Sequence, residues 1–275
     1  MEHNHKKFRD HVLDWYTQHK RDHLPWRTNI SLYGVHVSEV MLQQTQVDRV
    51  VGFYNRWLEK FPSYIALANA PIYEVYELWK GLGYNSRAKR LWDAAQNLKG
   101  VKESEAKSLF EHHAKIPGVG PYTQAAIETF VFNKKIPFIE TNIRRVYIHH
   151  FFNDAADIHD NEILKLVAET LEYIDDPRTW YWALMDYGST LPKVLKYNPN
   201  KQSKHYTKQS KFEGSLRQLR AKILFFVSST GVHGMTRQSI IDEFPQEGQD
   251  FIDEALAALL KDKLIQSKGD IFMVQ

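Results

Sequence analysis

Ile116-Pro117-Gly118-Val119-Gly120-Pro121-Tyr122-Thr123 is the stretch on which the fold turns. A helix-compatible segment leads into it from about Leu109. Behind it, Ala125-Ala126-Ile127 with Phe130 opens a second apolar helical face. Two helices joined by a turn with glycines two apart make a hairpin. Neither glycine carries a Cβ, so the turn can approach another backbone closely. The N–H groups of the turn and of the following helix start form a small anion-binding concavity, and DNA phosphate is the natural ligand. An ordinary helix–helix corner has the same local pattern, so the rest of the chain has to decide.

Composition narrows the choice. The 275 residues are 43% hydrophobic and 25% charged, ordinary for a globular chain with room for two domains. No run approaches the roughly 20 apolar residues of a membrane helix, and the first residues lead into no signal-peptide core. There is no cysteine, which excludes disulfides, thiolate metal sites and cysteine-ligated iron–sulfur clusters. A cytoplasmic, nucleoid-associated monomer is expected. The formal charge of +3 is too small to name a partner, but its distribution is uneven. From Lys193 to Lys211 there are six lysines and no acid, which reads as an exposed, poorly ordered linker or a basic arm along a phosphate backbone.

Helical periodicity dominates the first 190 residues. Phe8, Val12, Trp15 and Tyr16 mark a first amphipathic helix. Ser38 is a candidate N-cap for one long helix ending near Phe61-Pro62, with a stripe through Val40, Val47, Val51, Tyr54 and Leu58. Gln44 interrupts that stripe, so the first two turns are expected to face a ligand or cavity. Shorter helices follow, and Thr141 is a candidate cap for the helix from Asn142. After residue 211, three helix faces and a β-hairpin across Lys268-Gly269-Asp270 suggest a small winged-helix-like unit. The expected architecture is all-α: residues 1–192 as two helical lobes with a cleft between them, a basic linker at 193–211, and an α+β unit at 212–275.

If the hairpin grips DNA, two carboxylates stand out. Glu39 has apolar neighbours at a helix start, surroundings that raise a carboxyl's pKa and keep it a proton donor. Glu140 stands at a helix entrance, where the dipole and free N–H groups favour the anion. One acid kept protonated beside one kept ionised is the arrangement for cleaving a glycosidic bond. Taken alone, both glutamates could equally be helix caps.

Four motifs in order add to this reading. Val37-Ser-Glu-Val-Met-Leu-Gln-Gln-Thr-Gln-Val47, Gly81-Leu-Gly-Tyr84, the hairpin, and Glu140-Thr-Asn-Ile-Arg-Arg-Val146 together resemble the adenine DNA glycosylases of the MutY family. These are a branch of the helix-hairpin-helix DNA glycosylase superfamily, and the likeness covers roughly residues 8 to 190. The resemblance implies a monofunctional enzyme acting on duplex DNA that flips out a mispaired adenine, opposite 8-oxoguanine or guanine, and hydrolyses its N-glycosidic bond. It implies Glu39 as the acid, Glu140 as the oxocarbenium-stabilising carboxylate, Asn142 as a water-positioning residue and Tyr122 as an active-site tyrosine. A lysine at the position of Tyr122 would bring Schiff-base chemistry, which is not expected here. Arg27 with Trp26 would belong to the base pocket, and Gln43, Gln44, Thr45 and Tyr84 to the wedge entering the base stack. Gly118, Val119, Gly120 and Thr123 would bind phosphate, the hairpin carbonyls also holding a monovalent cation.

Three departures qualify the likeness. Glu140 replaces the family's aspartate, displacing the charge by about 1 Å, a shift that can cost on the order of 100-fold where geometry is tight. No cysteine is present for the family's iron–sulfur cluster. The small unit from Phe212 stands where relatives carry a domain that reads 8-oxoguanine. Excision of thymine or uracil opposite guanine, or of hypoxanthine, and damage binding without hydrolysis therefore remain alternatives.

Overall fold

The computed structural model describes residues 2–153, 155–207 and 211–274. Among the described residues, twelve helices come first: α1 (Glu2–His19), α2 (Pro25–Thr28), α3 (Leu32–Leu42), α4 (Val47–Lys60), α5 (Tyr64–Asn69), α6 (Ile72–Trp79), α7 (Ser86–Asn97), α8 (Glu103–Glu111), α9 (Pro121–Phe132), α10 (Thr141–Phe151), α11 (Asp160–Leu171) and α12 (Pro177–Leu195). The C-terminal part adds α13 (Leu216–Ser228), β1 (Met235–Thr236), α14 (Arg237–Glu243), α15 (Gln249–Lys261), β2 (Ile265–Lys268) and β3 (Ile271–Val274). The three strands form one antiparallel sheet in the order β1-β3-β2. The expected helical fold with a small α+β appendage is what forms. Among the described residues, no helix is long and apolar enough to cross a membrane.

The chain divides into two compact units that alternate along the sequence. One comprises Met1–Glu39, Lys107–Ala114 and Val119–Lys208, and the other Val40–Ala106, Lys115–Gly118 and Gln209–Gln275. The first is built on α10 against α12, with α1 on α12, around fully buried Tyr147, Trp180 and Tyr181. The second is built on α5, α6 and α7 and on α13 against α15, with Trp57, Tyr76 and Trp79 at its centre. The C-terminal segment thus groups with residues 40–106, where the sequence reading sets it apart. Aromatic packing explains this: Tyr76 on α6 is fully buried and its hydroxyl donates to the Leu264 carbonyl at 3.4 Å. The expected β-hairpin forms as β2 and β3, and Thr236 caps α14 by accepting from Ser239 N–H.

Local differences from the sequence reading bear on the site. The single helix expected from Ser38 to Phe61 is two helices, α3 and α4, separated at Gln43–Gln46. Ser38 is no cap: it is buried inside α3, its hydroxyl donating to Val35 carbonyl at 2.9 Å. Leu32 to Met41 are buried on every face. An all-round apolar helix belongs in a core, and that is where α3 lies. Glu39 therefore sits near the end of a core helix and not at the opening of a surface one.

The lysine-rich stretch is also more ordered than expected. Pro199–Gln202 forms a short 3-10 turn, and Ile158 pairs with Ser203 in an isolated parallel bridge. Buried Asn200 donates to the Thr141 carbonyl at 2.8 Å, tying the segment to the start of α10. Asparagines among the lysines supply the side-chain amides that this requires. Residues 208–210 of the expected linker lie outside the described residues.

Candidate active site

Glu39, Tyr122, Glu140 and Asn142 all fall in the first unit. Core helix α3 delivers Glu39, only 6% exposed. The first turn of α9 delivers Tyr122, whose hydroxyl donates to Glu39 Oε2 at 2.9 Å. Behind it, Phe138 packs edge-on against Tyr122 and stacks on Tyr181 at 4.1 Å between ring centres. The Tyr181 hydroxyl in turn donates to the Ile136 carbonyl at 2.8 Å and accepts from Phe138 N–H at 3.3 Å. Those contacts fix the connector that leads into Glu140.

Glu140, not Thr141, caps α10. Its Oε1 accepts from the N–H groups of Asn142 at 2.6 Å and Ile143 at 2.8 Å. Its Oε2 accepts from Asn142 Nδ2 at 3.2 Å. The longer side chain of glutamate is used to fold back over its own helix terminus, a cap more common for aspartate. Asn142 is held from the other side: Arg145 Nη1 donates to its Oδ1 at 2.7 Å and to the Gly188 carbonyl at 2.6 Å. A Cβ on Gly188 would lie 2.4 Å from the Asn142 carbonyl oxygen, so α12 can approach α10 this closely only through a glycine.

Burial sets the electrostatics of the pair. It pushes the Glu39 carboxyl up to about 7, against the Tyr122 hydrogen bond and the more distant Arg27 charge, with the Glu140 charge pushing the same way as burial. Glu140 is raised as well, by burial, against the N–H bonds of Ile143 and Asn142 and the guanidiniums of Arg145 and Arg144. The helix terminus favours the anion as expected, through the cap bonds, but burial opposes it and is the larger effect, so the net shift is upward. The Tyr122 hydroxyl is raised well above its ordinary value by burial and by both carboxylates, so it remains a donor. The four side chains thus combine an acid that titrates near neutrality with a carboxylate whose two oxygens are already oriented.

Arg27 is buried with Trp26 on α2, but its guanidinium is engaged by Asp186. The two bonds measure 2.8 and 2.9 Å, and Arg21 Nε adds a third to the same carboxylate at 2.7 Å. Asp186 is 1% exposed, a buried charge that two arginines neutralise. Neither Asp186 nor Arg21 is distinguished by the sequence alone.

The wedge candidates lie in the second unit. Gln44 is exposed with φ of 56°, and Tyr84 has φ of 49°, both in the left-handed region that most side chains avoid. One residue that sequence reading does not single out organises both turns. Arg87, on α7 and 3% exposed, donates to the carbonyls of Val40 at 3.0 Å, Met41 at 2.8 Å, Gln43 at 2.6 Å and Gly83 at 2.8 Å. It also donates to Thr45 Oγ1 at 3.1 Å. Burial lowers its pKa only to about 10, so it stays charged at neutral pH. Residues 40–43 end a helix, and the guanidinium satisfies carbonyls that such an end leaves free. This is why the helix breaks at Gln43.

In the hairpin, Gly118 has φ of 74°, and a Cβ there would lie 2.6 Å from Arg90 Cβ. Gly120, the N-cap of α9, has open space where its Cβ would be, and no side chain caps the helix. Gly118 and Gly120 are exposed and Val119 is half-buried, but Thr123 is only 3% exposed and packs inward. Among the described residues, no group of three or more His, Asp or Glu side chains could hold a metal ion. A cation at the hairpin would have to use backbone carbonyls.

Residues 37–172 match the HhH-GPD superfamily of base excision DNA repair proteins. The chain belongs to that superfamily. Among its relatives, the adenine DNA glycosylase of Buchnera aphidicola subsp. Baizongia pistaciae (strain Bp) is 34% identical over 191 residues, 68% of this chain and 53% of that protein. The adenine DNA glycosylase of Rattus norvegicus is 44% identical over 198 residues, covering 67% of this chain and 38% of the relative. This chain therefore spans about half of the first relative's length and less than half of the second's. A thermostable thymine-DNA glycosylase of known structure superposes with a TM-score of 0.60 at 25% identity, covering 74% of this chain and 97% of that one. The matched superfamily region contains Glu39, Tyr84, the hairpin, Glu140 and Asn142.

Proposed function

We propose that the protein is a monofunctional DNA N-glycosylase that flips a mispaired adenine out of duplex DNA and hydrolyses its bond to deoxyribose. The observation that carries this reading is the Tyr122 hydroxyl bonded to a Glu39 carboxyl whose pKa is about 7. Tyr122 occupies Oε2, so the proton to be given up sits on Oε1. Glu39 passes that proton to the departing base, which otherwise leaves as an anion. Positive charge then develops at C1′, and the ionised Glu140 stabilises it. Water is directed to C1′ by Glu140 and Asn142, whose amide is fixed between Glu140 and Arg145. Position 122 carries no amine, so no Schiff base forms and the product is an abasic site with an intact strand. The exposed turn at Gly118–Gly120 contacts backbone phosphate.

Curated adenine DNA glycosylases at 34% and 44% identity support adenine as the base. A second reading, excision of thymine opposite guanine, is favoured by the thymine-DNA glycosylase structure, which this chain spans almost completely. A panel of duplexes with single mispairs, treated with alkali after incubation, separates them. Strand breaks at adenine opposite 8-oxoguanine or guanine are expected. Breaks confined to thymine would establish the second reading, and tight mispair binding with no breaks at all would make the protein a damage binder.

A further inference from the structure

Tyr84 stands in a turn with little intrinsic preference for its conformation. Its own φ is 49°, and the flanking Gly81 and Gly83 have φ of 96° and 85°. Such a turn keeps one geometry only if neighbours over-determine it. Arg87 does this for the backbone, donating to the Gly83 carbonyl, and its guanidinium lies 5.4 Å from the Tyr84 ring centre. The ring is also held from a distant part of the sequence. Arg217, in the first turn of α13, places its guanidinium 5.5 Å from the same ring centre and donates through Nη1 to the Tyr84 hydroxyl at 3.2 Å. Phe212 packs against that guanidinium at 5.3 Å, continuing the stack into the C-terminal segment. The base of α13 is anchored in its own core by Leu219, Ile223, Leu224 and Val227, all 2% exposed or less. Arg217 is therefore mounted on a rigid support.

We propose that Arg217 is a positioning residue for Tyr84, through which the C-terminal winged-helix-like segment takes part in reading the base opposite the excised one. This rests on the functional reading above and on the wedge role, entering the base stack, that the sequence resemblance implies for Tyr84. An inserted ring must hold its plane against the recoil of the unstacked bases. A guanidinium over one face together with a bond to the hydroxyl restrains both tilt and rotation, where a bond alone would leave the tilt free. The composition of the segment agrees with a bracing role. Helix α15 carries Asp250, Asp253 and Glu254 against one lysine, Lys261, and with Asp253 paired to Arg237 it offers a phosphate little positive charge.

The test uses the full chain and duplexes with 2-aminopurine next to the mispair, whose fluorescence rises on unstacking. Fluorescence is read in a Glu39→Gln background, so no product forms, and excision is read as a single-turnover rate with Glu39 intact. Arg217→Ala is expected to reduce the fluorescence rise and to slow excision about tenfold at saturating enzyme, with a smaller loss for matched-duplex binding. Arg217→Lys, which keeps a cation over the ring, should restore most of the rate. Tyr84→Phe removes only the hydroxyl acceptor, leaves the C-terminal segment untouched, and should be no worse when combined with Arg217→Ala than Arg217→Ala alone. The proposal is overturned if Arg217→Ala matches the wild type in both readouts, or if the Arg217→Ala and Tyr84→Phe effects multiply. A wild type that excises normally beside an unaffected Arg217→Ala leaves the functional reading standing. A wild type that neither excises nor unstacks any mispair brings down that reading, and this proposal with it.

Discussion

The two groups of candidate site residues are built on opposite principles. Around Glu39 and Glu140, burial moves the proton affinities of groups that must titrate, and hydrogen bonds from Tyr122 and Asn142 aim them. Around Arg87, nothing needs to titrate near neutral pH. A charged guanidinium gathers backbone carbonyls from both turns and the Thr45 hydroxyl, holding the turns in left-handed backbone conformations. The first group stores its function in protonation states and the second in shape. Removing a member should therefore separate them: chemistry fails without loss of folding in one case, folding and DNA discrimination fail together in the other.

Glu39→Gln gives the largest expected effect. Excision should fall by about 10²–10⁴-fold while mispair binding is retained. The same variant should be more stable than wild type at pH 8. A carboxyl with a raised folded-state pKa favours the native state while protonated, and that contribution disappears as pH rises from the unfolded value through about 7. The gain, up to about 3 kcal/mol from the size of the shift, should vanish near pH 4 in thermal melts. Equal melting temperatures at pH 8 would show that Glu39 is not buried as a strained acid.

Arg87→Ala comes next. Removing it strands buried carbonyls at the end of α3, and a loss of about 3 kcal/mol in denaturant unfolding is expected, with mispair discrimination absent in whatever fraction still folds. A variant with normal stability and normal discrimination would mean that the two turns hold themselves. The smallest effect is expected from the lysines. Replacing Lys193, Lys196, Lys201 and Lys204 with serine should weaken binding equally across sequences and lower the salt slope by about 0.9 for each phosphate charge no longer neutralised. An unchanged slope would make that segment a structural tie to α10 alone.

The chemical group is readable in the sequence because its information lies in residue identity. Glu39, Tyr122, Glu140 and Asn142 gain their roles from ordered motifs that resemble a known family, and the structure bonds Tyr122 to Glu39 and Asn142 to Glu140. Arg87 does not announce itself: its partners are backbone carbonyls, which every sequence has everywhere. The break it stabilises is hidden too, since the apolar stripe from Val40 through Val47 to Leu58 continues in phase across Gln43–Gln46. Threonine is a common cap, so Thr141 draws the assignment for α10, whereas Glu140 reaches round from one residue earlier. Asp186 is one polar residue in an aromatic-rich helix, and only the fold makes Arg21 and Arg27 converge on it. Lysine content gives 193–211 an unstructured character, while Asn198 and Asn200 are the residues that order it: Arg145 Nε donates to Asn198 Oδ1 at 3.1 Å.

The central claim is that Glu39 delivers its proton from a carboxyl that titrates near neutrality. Its most direct test is the pH dependence of the single-turnover excision rate on a duplex with adenine opposite 8-oxoguanine. The rate should fall about tenfold per pH unit above a bend near 7, where the acid form is depleted. A rate that stays level from pH 6 to pH 9 would contradict the account.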